Sequence, residues 1–77
     1  MPILIVLDNN KITTPLERIQ AATRLQETFN LQEVEMEMAS TLGIVMAELP
    51  NGLPEVLNAL MAHPDVKTVE MAGEKSI

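Results

Sequence analysis

The chain has 77 residues, 47% of them apolar, with Phe29 as its single aromatic residue and no cysteine. That composition allows one small domain whose core is aliphatic and methionine-based, with no disulfide to staple it. A net charge of −6 with only five Lys and Arg excludes the many phosphate contacts on which nucleic-acid binding depends.

Residues 3–7, Ile-Leu-Ile-Val-Leu, have no basic stretch ahead of them and Asp8 directly behind. Five apolar residues are too few for a secretory leader or a membrane span. Apolar side chains on both faces are what a strand inside a covered sheet carries. The expectation is an intracellular, cytoplasmic protein that makes no membrane contact. Residues 8–11 read as a turn. Thr14-Pro15-Leu16-Glu17 then reads as a helix start, with Thr14 as cap, Pro15 at the first helical position and Glu17 closing a capping box. Ile19, Ala22, Leu25 and Phe29 fall along one stripe, which predicts a helix ending near Asn30 and lying on a sheet.

Residues 33–38, Glu-Val-Glu-Met-Glu-Met, alternate strictly with period two, which predicts a strand with one wet and one dry face. Its row of Glu33, Glu35 and Glu37 suits a sheet edge, where charge discourages stray pairing. Residues 39–42 read as a turn, and residues 43–49 as a third strand with Ile44 and Met46 on one face and Val45, Ala47 and Leu49 on the other. This two-sided pattern predicts a central place. Pro50, Asn51 and Gly52 break the strand and Pro54 opens a second helix that buries Leu53, Val56, Leu57, Leu60 and Met61. Pro64 ends it. Residues 66–71 form the last strand, and residues 72–77 have the small, polar character of an exposed tail.

Strand, helix, strand, strand, helix, strand in this length predicts a single α+β domain over residues 1–71 with a tail over 72–77. The plan is ferredoxin-like βαββαβ, a four-stranded antiparallel sheet with both helices on one face. The other face then carries apolar side chains with no helix to cover them.

Chemistry-bearing residues are few. His63 is the only histidine and stands before a proline at a helix end, where capping the last carbonyls is the simplest role. Three glutamates on one strand face, and Met36 with Met38, are read as a solvated edge and as core rather than as metal ligands. Ser40 and Ser76 have no histidine at a spacing that would activate them, and Gly43, Gly52 and Gly73 sit in separate turns rather than in a phosphate-binding loop. No catalytic residue, metal or cofactor is expected, and function is expected to reside in binding.

Within the second half, Gly43 and the strand end Ala47-Glu48-Leu49, the apolar helix, then His63-Pro64-Asp65-Val66 and Val69-Glu70 together resemble the propeptides of subtilisin-like serine proteases and the free-standing protease inhibitors related to them. The resemblance covers roughly the C-terminal half. It implies a domain that lays its open sheet face on two helices of the protease and threads its C-terminal tail into the substrate cleft like a product. The tail residues it implicates are Gly73, Glu74, Lys75, Ser76 and Ile77, with Ile77 nearest the catalytic serine and Glu70 facing helix N-termini. Such a protein is an inhibitor, forms a 1:1 complex, and in precursor form also assists folding of the protease. The family often carries further acids after this glutamate, where this chain has Met71 and Ala72, and Glu74 stands where subtilisins present an apolar pocket. Two other readings stay open: a ferredoxin-like adaptor or homodimer working through its open face, and a small-ligand or metal sensor.

Overall fold

The computed structural model describes residues 2–49 and 54–71. In chain order the elements are β1 (Pro2–Leu7), α1 (Pro15–Phe29), α2 (Met36–Leu42), β2 (Ile44–Glu48), α3 (Pro54–Ala62) and β3 (Val66–Met71). The fold is α+β, with three helices and a three-stranded antiparallel sheet in the order β2-β1-β3 among the described residues. Because β2 and β3 both run antiparallel to β1, they are parallel to one another, and α3 carries the chain between them past the central strand.

Pairing register explains the two faces. Ile3 stands opposite Ala47 and Met71, and Ile5 opposite Val45 and Val69. Ile3, Ile5, Leu7 and Val45 are fully buried with Leu25 and Leu60, so this face meets the helices. Each such side chain contributes about 1.5–3 kcal/mol by leaving water. The period-two pattern of residues 44–49 is therefore realised as expected, with Val45, Ala47 and Leu49 buried and Ile44 and Met46 half-buried.

Local chemistry sets the helix ends. In α1 the Thr14 hydroxyl accepts from the Glu17 N–H at 3.2 Å while the Glu17 carboxylate accepts from Thr14 N–H at 3.3 Å and Thr13 N–H at 3.1 Å, which is the expected capping box. Those backbone donors hold the Glu17 carboxyl below its ordinary pKa. Asn30 ends the helix in the left-handed region at φ 56°. The buried stripe is Ala21, Ala22 and Leu25, whereas Ile19, expected inside, is 37% exposed.

One expected element is replaced. Residues 33–38 do not form the fourth strand, and the turn expected over 39–42 is the end of a helix, α2. Gln32 and Glu48 exchange both backbone bonds at 2.9 and 2.7 Å, which begins a strand on the outer edge of β2. The next bond, from Glu35 N–H to the Met46 carbonyl at 3.1 Å, advances three residues on one side against two on the other. Glu33, at φ 52°, takes up the extra residue as a bulge. The alternation is broken there, and Glu35 becomes the cap of α2.

Gly43 closes α2 in the left-handed region at φ 72°, its N–H shared between the Ala39 and Met38 carbonyls. Arg18 of α1 donates from one terminal nitrogen to the Ser40 and Thr41 carbonyls at 3.2 and 3.4 Å, tying the two helices together. The third strand of the sequence reading is accordingly the outer strand β2, flanked among the described residues by the Gln32–Glu48 bridge, and not a fully central one. In α3, Leu60 is buried and Val56 and Leu57 pack on the core, while Met61 is 57% exposed; Leu53 lies outside the described residues.

A candidate partner-binding face

Leu4 stands opposite Met46 and Glu70, and Val6 opposite Ile44 and Thr68. These six side chains point away from the helices because strand neighbours alternate. Leu4, Val6, Ile44 and Met46 are half-buried, a contiguous apolar stripe across β2 and β1 that is not among the side chains packed on the helix-side core. Glu70 and Thr68 border the stripe on β3. Glu48, opposite Pro2, lies at the same end of the same face as Glu70, because β2 and β3 run in the same direction. Period-two counting from Ile44 places Glu48 on this face, although the sequence reading assigned it no role.

Beside the stripe, on the outer side of β2, lies a shallow depression of about 320 Å³ lined by Pro2, Glu33, Glu35, Met46, Ala47 and Glu48. Two of the three expected strand glutamates thus reach one place, while Glu37 is carried into the first turn of α2. Among the described residues no group of three or more acidic, histidine or cysteine side chains is placed to hold a metal ion. Met36 and Met38, two apart on a helix, diverge by about 200° around its axis and do not form the strand pair expected of them.

The remaining candidates have structural partners. His63 Nδ1 accepts from the Asp65 N–H at 3.1 Å and the ring meets Phe29 edge-on at 6.3 Å. Its backbone N–H, rather than its imidazole, serves the α3 end, bonding the Leu60 carbonyl at 3.1 Å. The turn that follows is bound to the rest of the domain by Arg24 to the Asp65 carboxylate at 3.1 Å, Lys11 Nζ to the Pro64 carbonyl at 3.0 Å and Asp8 N–H to the Asp65 carbonyl at 2.9 Å. This network fixes the start of β3 and so the position of Glu70. Ser40 donates to the Glu37 carbonyl at 3.0 Å.

Gly73, Glu74, Lys75, Ser76 and Ile77 lie outside the described residues, as do Pro50, Asn51 and Gly52. No helix among the described residues is long and apolar enough to cross a membrane. Comparison of the chain with protein-family models, curated proteins and solved structures finds no match.

Proposed function

We propose that the chain binds and inhibits a subtilisin-like serine protease, its open sheet face docking on the protease surface and residues 72–77 lying in the substrate cleft. The observation that carries this reading is the apolar stripe of Leu4, Val6, Ile44 and Met46 on the face opposite the helices. With it goes a fold reading: a ferredoxin-like plan in which the second strand is reduced to the Gln32–Glu48 bridge and the bulge at Glu33. The directions of β1, β2, β3 and the bridged segment all suit that plan. In this reading the protein works in the cytoplasm, without metal or cofactor and without catalysis of its own.

Size favours an inhibitor over a face-only adaptor. Three strands about 4.8 Å apart and five residues long present roughly 250 Å² in projection, near a third of the ~800 Å² that each partner contributes to a standard interface. A second contact is needed, and an extended segment pairing with a protease's edge strands supplies it while the folded face raises its effective concentration. Glu70 at the acidic end of the face suits the positive end of a helix.

The test is titration of a broad-specificity subtilisin with the chain, with a version lacking residues 74–77, and with Ile44→Lys. Inhibition by the chain that is lost in both variants supports the two contacts. Absence of inhibition by the folded chain overturns the protease reading and leaves the adaptor.

A further inference from the structure

The two outer edges of the sheet are treated differently. On β2 the Glu48 backbone bonds Gln32 in both directions and the Met46 carbonyl takes the Glu35 N–H, so that edge is partly covered. The edge of β3 has no such cover among the described residues. Leu7 N–H bonds the Gly43 carbonyl on the β2 side and Asp8 N–H bonds the Asp65 carbonyl on the β3 side, which fixes the alternation along β1. Leu4 and Val6 therefore bond toward β3, and their partners Glu70 and Thr68 turn inward to meet them. Val69 and Met71 must then direct their N–H and C=O groups outward, where no described residue meets them. Such a row of backbone groups is a template for another strand.

We propose that this edge pairs with β3 of a second copy of the chain, antiparallel about a two-fold axis through Val69, joining the two sheets into one of six strands. The strand's own side chains select this occupant and register. Val69 faces Val69 of the second copy, a β-branched pair favoured across strands. Glu70 faces the Thr68 hydroxyl, and Lys67, where the register irregularity falls, is left outside the regular pairing. No like charges stand opposite one another. Sliding the axis one residue toward the C-terminus opposes two Glu70 carboxylates. Sliding it the other way sets Glu70 against Val66, which the register irregularity beside Val6 and Leu7 places on the covered face. The two open faces become continuous in the dimer and double the apolar area offered to a partner. The interface itself is small, in the range of weak, concentration-dependent association.

Sedimentation of the whole chain from micromolar to millimolar concentration tests this. The expected result is a monomer–dimer equilibrium that dilution reverses. Val69→Pro removes the outward N–H without touching the β1 ladder, and Thr68→Glu places a second carboxylate opposite Glu70. Both are expected to be monomeric at every concentration, with circular dichroism showing the fold intact. Should the proline variant unfold, Thr68→Glu decides alone. A chain that stays monomeric throughout, a dimer that survives Thr68→Glu, or a dimer lost in Ile44→Lys but kept in Thr68→Glu would each overturn the proposal.

Discussion

Gly43 is the residue on which the α2–β2 junction turns. Its φ of 72° is a left-handed conformation that side chains resist, and a Cβ added there would collide with the Asn9 side chain. Gly43→Ala is expected to cost about 1–3 kcal/mol of stability, read as a lower urea midpoint at unchanged slope. Combining it with Asn9→Ala should return the steric part and leave the backbone part, so the double variant should fall between the two. Glu33 presents the opposite case, a left-handed residue with a side chain, at φ 52°. Glu33→Gly should raise stability by up to about 1 kcal/mol, and an unchanged or lower urea midpoint would contradict the bulge.

Glu17 adds a dependence on pH. Its carboxyl is held below the ordinary value chiefly by the backbone donors of Thr14 and Thr13, so the folded state binds the proton less well than the unfolded chain. The stability it contributes is complete above the unfolded glutamate pKa and is lost as the pH falls through the lowered folded value. The difference in urea midpoint between the protein and Glu17→Gln should therefore be largest near neutrality and shrink on acidification. A difference that is constant down to pH 3 would show that the charge has no part in the cap.

At the scale of elements, what was legible in the sequence followed from signals that only one structure satisfies. Thr14, Pro15 and Glu17 mark a helix start unambiguously, and β1, β2 and β3 appear within a residue of their expected bounds because alternation or a bounded apolar run set them. Residues 33–38 alternate with period two over six residues, a pattern that a bulged edge segment running into a helix satisfies as well as a strand does. The competing signals were in the letters: Met36, Glu37, Met38 and Ala39 are good helix formers, no β-branched residue stands among them, and Gly43 sits where a helix closes. The stripe reading of α1 erred at Ile19 for a related reason, since spacing defines a face but not how far along the helix that face stays covered. The candidate face was legible from the parity of β2, whereas the identity of its partner is not encoded in any residue cluster.

Arg18 joins α1 to α2 by donating to two carbonyls at the end of α2. Removing it in Arg18→Ala leaves the Ser40 and Thr41 carbonyls without their shared cation, and a loss of about 1–2 kcal/mol is expected. Amide exchange should localise the effect, with protection falling first in α2 and hardly at all in β1. Uniform loss across the sheet would mean that α2 is part of the cooperative core instead of a docked accessory.

For the whole molecule, stability and binding should be linked. Many small aliphatic side chains, one aromatic ring and no disulfide make a domain with little margin. Anything that binds the folded form alone stabilises it by mass action, about 2.7 kcal/mol at a concentration one hundredfold above the dissociation constant. For a domain of this size, each kcal/mol moves the melting midpoint by about 4–8 °C. On the proposed inhibitor reading, an inactivated subtilisin present at that excess raises the midpoint by on the order of 10–20 °C, followed through a label on the small chain. Ile44→Lys should melt close to the unsubstituted protein by itself, because Ile44 is only half-buried, yet show little of the rise. That combination separates a side chain used for docking from one used for folding: were Ile44→Lys to melt far lower alone and still gain the full increment with the protease, the apolar stripe would belong to the core and the docking face would have to be sought on another surface.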